Sequence, residues 1–287
     1  MHDAGWSARG LRGRRPPWLS LALVVLVGTA ALVVPVRPFL LMALLVAYGL
    51  ARWRGGRTGA AASALAGVLP VAAILAWGSF PQPLADPTGA DCANPLSPPA
   101  VWRFLEAFIG LATVAALVAD RGASWGELGL RIGSRRTMLV ALVGLILAAP
   151  LAIWAAGLLG EQGVGGSFFG SYALDLSQPL AFLPAALFAV SNALAEELAY
   201  RGAMRVWLAP SLGIVGANLA QAIVFGLTHT GPDFVGPVLP TAIAMIAAGF
   251  VAGVIARRTN SLAIVLAVHA AADIPLFLYW ACRVAPA

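Results

Sequence analysis

The run Ser191-Asn192-Ala193-Leu194-Ala195-Glu196-Glu197-Leu198-Ala199-Tyr200-Arg201-Gly202 sets two adjacent carboxylates and an arginine among apolar residues. A charged side chain at the centre of a bilayer costs at least ~2.5–3.5 kcal/mol, so such residues mark functional sites by default. On a helix, Glu197 and Arg201 are four residues apart and share a face, so they can pair. Glu196 points about 100° away and lacks that partner. One glutamate is thereby tied to an arginine, and its neighbour is left for base chemistry or ligation. The plainer reading of Glu197 and Arg201 alone is a buried structural ion pair.

Three further pairs have the same helical spacing: Asn192 with Glu196, Phe225 with His229, and His269 with Asp273. The chain has three histidines, and the third is His2. A lone intramembrane histidine is often just a hydrogen-bonding residue between helices. Two histidines, two glutamates and an aspartate in three apolar segments are harder to explain that way. Together they supply groups able to act as a base, to hold a water and to donate hydrogen bonds. Two histidines and a carboxylate with a water are also a common catalytic zinc set, here Glu196, His229 and His269. No HExxH spacing occurs, so those ligands would come from three helices.

These residues must be positioned by membrane helices. Of 287 residues, 60% are apolar and 10% charged, and the mean hydropathy is +0.87. Soluble domains average about 25% charged residues. The expected fold is all-α, a polytopic transmembrane helical bundle of about eight or nine spans. By bilayer length the spans fall at 18–34, 38–53, 60–80, 100–119, 138–159, 180–208, 212–229, 236–257 and 261–281. The second is short enough to be re-entrant. The arginine-rich N-terminus before the first span imitates a signal sequence, but the run is long and lacks a cleavage site, so it reads as a first span. Residues 120–137 are not a span; they form either a short interfacial helix carrying Trp125, Leu128 and Leu130 or a plain loop.

All 18 basic residues are arginine, and the net charge is +6. They gather in alternate connections: Arg9, Arg12, Arg14 and Arg15; Arg52, Arg54 and Arg57; Arg121, Arg131, Arg135 and Arg136; Arg201 and Arg205; Arg257 and Arg258. The opposite loops carry Asp86, Asp91, Glu161, Asp175 and Asp233, with Arg37 and Arg283 against the trend. The arginine-rich side is expected to be cytoplasmic, which puts the N-terminus inside. The basic excess reads as topology, and no basic stripe with interleaved aromatics suggests a nucleic-acid partner. Cys92 and Cys282 have no CxxC spacing and fall on the opposite side, where an oxidising compartment would permit a disulfide. Reactive-looking residues lie after 190, which divides the chain into an N-terminal helical part, 1–137, and a C-terminal reactive part, 138–287.

Depth raises one difficulty. At ~1.5 Å per residue, Glu196 lies roughly 18 Å from the end of its span and His269 roughly 12 Å from the start of its own, but His229 lies roughly 25 Å from residue 212. A tilt, or a later start to that helix, would bring the three together.

The motifs Glu196-Glu197-x-x-x-Arg201, Phe225-x-x-x-His229 and His269-x-x-x-Asp273, in that order, resemble the CPBP family. These are the CAAX-processing and bacteriocin-processing (Abi) intramembrane proteases, which include the type II CAAX prenyl proteases. The resemblance covers roughly 138–281 and extends to Arg201-Gly202 and Thr259-Asn260-Ser261-Leu262. It implies an intramembrane endopeptidase of a bacterial cell membrane, working among membrane lipids on membrane-associated or hydrophobic-tailed peptide or protein substrates, CAAX-type tails among them. It implies Glu196 as general base and His229 as holder of the water. His269 with Asp273 would stabilise the oxyanion, Glu197 and Arg201 would fix the helix face, and Phe225 would pack beside the site or substrate. The site is expected to open toward the cytoplasm or sideways into lipid. The family is often labelled metalloprotease; a metal-free glutamate mechanism is preferred here, with zinc as the alternative. The family's last motif usually ends in asparagine, and an aspartate cannot donate a hydrogen bond unless protonated. That departure leaves a second reading, a non-catalytic relative acting in bacteriocin immunity, scaffolding or regulation. A proton-coupled transporter would predict inverted repeats with broken helices, and none is visible.

Overall fold

The computed structural model describes residues 17–56, 59–81, 83, 93–161, 182–230 and 238–281. Among these the secondary structure is entirely helical. Both cysteines, the arginines ahead of residue 17, Arg57 and Arg283, and the loop acids Asp86, Asp91, Asp175 and Asp233 lie outside the described residues.

The elements are α1 (Trp18–Leu32), α2 (Arg37–Gly55), α3 (Ala60–Trp77), α4 (Pro98–Arg121), α5 (Arg135–Glu161), α6 (Phe182–Glu197), a π-helical segment (Leu198–Met204), α7 (Arg205–Thr228), α8 (Val238–Thr259) and α9 (Ala263–Ala281). Five stretches are long and apolar enough to cross a bilayer: Val34–Gly55, Ala60–Trp77, Pro98–Arg121, Leu183–Thr228 and Val238–Thr259. Trp18–Leu32 and Ala263–Pro275 are shorter apolar helices. The chain is an integral membrane protein. The second expected span is a continuous 19-residue helix. The connection after α4 forms turns over 122–134 and no helix.

The expected spans 180–208 and 212–229 form one 46-residue helical stretch. It bends at Gly213, whose φ of 74° and ψ of 167° lie outside the helical region. Pro210 lacks the N–H that would continue the hydrogen-bond ladder, and glycine alone adopts the turn without strain. The helix that follows the bend therefore starts at Ile214, later than residue 212. The later start shortens His229's path in the direction the depth argument needed.

α3 is the central helix, buried along most of its length against α1, α4, the π-helical segment and α7. One buried apolar cluster runs from Leu23 and Val27 of α1 through Leu69 of α3 and Met204 of the π-helical segment to Val265 of α9. Lipid tails offer no hydrophobic contrast, so helices approach through small residues. α6 and α9 meet through Ala189, Ala193 and Ala270. α7 and α8 meet through Gly226, Gly249 and Gly253, the last two spaced as GxxxG. A Cβ on Gly226 would overlap the Ile246 side chain and come within 2.9 Å of the Ala242 carbonyl oxygen. Overpacking costs about 1–3 kcal/mol. Gly226→Val should lower the melting temperature in detergent and, three residues before His229, impair activity too. An unchanged melting curve would show that this contact is not tight.

Candidate active site

α6 ends at Glu197, and the chain widens there into the π-helical segment Leu198–Met204. Single π turns recur at functional sites because the i→i+5 spacing re-aims side chains. Gly202 lies in this turn, where a Cβ would sit 3.3 Å from both the carbonyl oxygen and Cβ of Leu128 in the 122–134 connection. That close packing accounts for glycine following Arg201.

Within this turn Arg201 Nη1 donates to Glu197 Oε1 at 2.9 Å, both side chains being 2% exposed. The same carboxylate oxygen lies 2.8 Å from Nδ1 of His269, which reaches across from α9. A carboxylate here accepts, so Nδ1–H of His269 is the donor. Glu197 thus binds α6 to α9 and sets the orientation of the His269 ring, beyond its pairing with Arg201. The Arg201 guanidinium lies 4.0 Å from the centroid of the Phe225 ring, a cation–π contact.

The other edge of His269 faces the remaining carboxylates. Its Nε2 is 3.7 Å from Glu196 Oε2 and 3.7 Å from Asp273 Oδ1. These distances exceed a direct hydrogen bond. Glu196 Oε2 is buried and makes no hydrogen bond among the described residues. Asn192 Nδ2 donates to Asp273 Oδ2 at 3.0 Å and lies 3.5 Å from Glu196 Oε1. An amide donor therefore stands beside the aspartate that departs from the family pattern, supplied from α6.

His229 caps the end of α7, with Nδ1 at 2.7 Å from the Phe225 carbonyl oxygen. That oxygen can only accept, so Nδ1 carries the proton and the neutral ring presents Nε2 as an acceptor. Tyr200 and Thr228 join their hydroxyls at 3.0 Å, linking the π-helical segment to the end of α7. Phe225 is buried; its ring centroid is 4.3 Å from that of His229, 5.1 Å from Tyr200 and 6.3 Å from His269. It is the aromatic wall against which both histidines rest.

Glu196, His229, His269 and Asp273 line one cavity of about 90 Å³. This is room for a few waters. Glu197, Arg201 and Phe225 stand behind that lining. Asn192, Tyr200 and Thr228 also line it, as do Arg37, Arg103 and Glu106 from the N-terminal part of the chain. Asn192 was legible through its spacing from Glu196, whereas Tyr200 and Thr228 carried no signal. The N-terminal residues had no sequence signal tying them to the later motifs.

The N-terminal part of the lining comes from one set of helix ends. Gly78 caps the end of α3, Arg37 begins α2, and Arg103 and Glu106 lie in the first turns of α4. These helix ends are opposite to those bearing Arg52, Arg54, Arg121, Arg135, Arg257 and Arg258. The arginine-rich end is tightly packed. There Leu128, Leu198, Met204, Leu208 and Leu262 are each at most 1% exposed, and Leu262 N–H donates to the Gly129 carbonyl at 2.9 Å.

The hydrogen bonds on Nδ1 of both histidines are of the kind that fix metal-ligating imidazoles. Ligation also needs convergence, and among the described residues no group of three His, Cys, Asp or Glu side chains is placed to hold an ion. The donor set of Glu196, His229 and His269 does not fit a zinc cage in this arrangement.

Residues 178–275 match the family model described as Rce1-like: Type II CAAX prenyl endopeptidase Rce1-like. The match begins just before α6 and ends within α9, so it holds all three motifs. No curated protein and no solved structure matches the chain.

Proposed function

We propose that this chain, whose residues 178–275 belong to the CAAX-processing protease family, is an intramembrane endopeptidase. It hydrolyses peptide bonds in membrane-associated or hydrophobic-tailed polypeptides by a water that Glu196 activates. The observation that carries the reading is the division of labour between adjacent glutamates. Glu197 is held by Arg201 and His269, while Glu196 lines the cavity and keeps one oxygen without a hydrogen bond among the described residues, 3.7 Å from the His269 ring.

A water in the cavity, beside the Glu196 carboxylate and the imidazoles, gives its proton to Glu196 as its oxygen attacks the substrate carbonyl. His229 Nε2 accepts the water's second O–H and aims the lone pair. Charge then develops on the carbonyl oxygen. His269, as an imidazolium balanced by Glu197, donates Nε2–H to that oxyanion, and Asn192 holds Asp273 in place beside it. Collapse of the tetrahedral intermediate breaks the C–N bond, and Glu196 returns its proton to the leaving amine. The geometry is set before substrate arrives, which is what makes such donors effective. Nine spans, with 180–208 and 212–229 as two passes joined at Gly213, and a bacterial cell membrane complete the reading.

Purified protein in lipid vesicles should cleave members of a panel of hydrophobic-tailed peptides, with products identified by mass spectrometry. Cleavage should survive treatment with EDTA or 1,10-phenanthroline, because the donors do not converge on an ion. Loss of activity on chelation, restored by zinc, would replace this mechanism with a metal-dependent one. Folded protein that cleaves nothing in the panel counts against the enzyme reading itself.

A further inference from the structure

We infer that Arg205 and Arg257 form a site for a phosphate group, that of an anionic phospholipid headgroup in the leaflet at the arginine-rich end of the bundle. The inference is independent of the protease reading, because the catalytic scheme uses neither arginine.

Arg205 follows the π-helical segment directly and is 7% exposed. One turn earlier, Arg201 is buried too, and it has the Glu197 carboxylate at 2.9 Å. Arg205 has no such counterion among the described residues. Its Nε donates to the Arg201 carbonyl at 2.8 Å, whereas Nη1 and Nη2 make no hydrogen bond among those residues. The charge that acts on Arg205 is that of Arg257, of the same sign, from the last turn of α8. A buried cation is costly unless an anion or hydrogen-bond acceptors meet it. Two arginines within electrostatic reach, with no carboxylate bonded to the buried one, fit an anion shared by both.

The donors narrow the choice of anion. The Nε bond ties the guanidinium to its own turn, so Nη1 and Nη2 form a preset fork. Such a fork matches the paired oxygens of a phosphate. Neither nitrogen is sealed from the surface. Arg257 is exposed at the end of its helix, so it can close on the same group from outside. Basic pockets between membrane helices take phospholipid headgroups in this way. A lipid held there by its phosphate lays its acyl chains along α8, where Ile243 and Val251 are exposed. That added apolar contact favours a lipid over free phosphate.

The test is native mass spectrometry of the full chain released from detergent, titrated with phosphatidylglycerol or with phosphatidylcholine as the neutral control. The expected result is a phosphatidylglycerol adduct that phosphatidylcholine does not form. Arg257→Gln should weaken it about fivefold, the usual effect of one basic residue beside a headgroup. Arg205→Gln should weaken it by about tenfold or more, because the charge-assisted fork is lost. Arg258→Gln removes an exposed charge one residue further on and should leave the adduct unchanged. Thermal unfolding checks that each variant folds. Should Arg205→Gln be unstable, Arg257→Gln against Arg258→Gln still decides, since both change only the exposed end of α8. Equal weakening by all the variants, or equal retention of both lipids, overturns the site. Inorganic phosphate that displaces the lipid, and that raises the melting temperature of lipid-free wild type but not of Arg257→Gln, overturns the lipid source and leaves a site for free phosphate.

Discussion

Glu196→Gln should lower kcat by about 10²–10⁴-fold, the usual contribution of a positioned general base. KM should change little, and the melting temperature should stay within a degree or two. The substitution keeps the shape of the side chain. It removes a carboxylate that accepts one 3.5 Å contact from Asn192 and is 17% exposed in the cavity. Little packing is lost, so the effect should fall on the proton transfer. The measurement is steady-state cleavage of a vesicle-borne peptide beside thermal unfolding in the same detergent. Retained turnover would remove Glu196 from the chemistry.

Arg201→Ala should act through stability first. Removing one partner of a buried ion pair costs about 3–5 kcal/mol, because the other charge is left without compensation. Here the stranded group is Glu197, which also holds His269 at 2.8 Å. The Phe225 ring would lose the guanidinium packed 4.0 Å from its centroid. The expected outcome is a sharp fall in melting temperature and in yield from membranes. The double variant Arg201→Met, Glu197→Gln removes both charges and should recover most of the stability, since isosteric neutral pairs often replace buried ion pairs at little cost. It should not recover activity, because the glutamine no longer anchors the His269 ring as a carboxylate does. A double variant as unstable as Arg201→Ala would show that the pair's packing matters more than its charge.

Much of this site was legible because membrane helices leave few places for polar residues. Spacing alone paired Glu197 with Arg201, and the structure shows that bond at 2.9 Å. Contacts between helices were not legible in the same way. Nothing within α9 says that His269 meets Glu197 rather than its own i+4 neighbour Asp273, since that choice depends on how closely Ala189, Ala193 and Ala270 let the helices approach. Asn192 was read with Glu196, and its shorter bond is to Asp273. The π turn was invisible because Leu198–Met204 has an ordinary helical composition. The bend at Gly213 lay at a proline and glycine that hydropathy averaged into two apolar runs. The share of the lining that comes from α2, α3 and α4 was not legible, because their sequences show no link to the later motifs.

The central claim is that Glu196 activates a water and does not itself attack the peptide. A single-turnover cleavage in H₂¹⁸O, with mass spectrometry of both product and enzyme, tests it most directly. The account predicts one ¹⁸O in the new C-terminal carboxylate of the product and none in the Glu196 side chain. Label in Glu196 with an unlabelled product would mean that the carboxylate formed a covalent intermediate, and the account would be wrong.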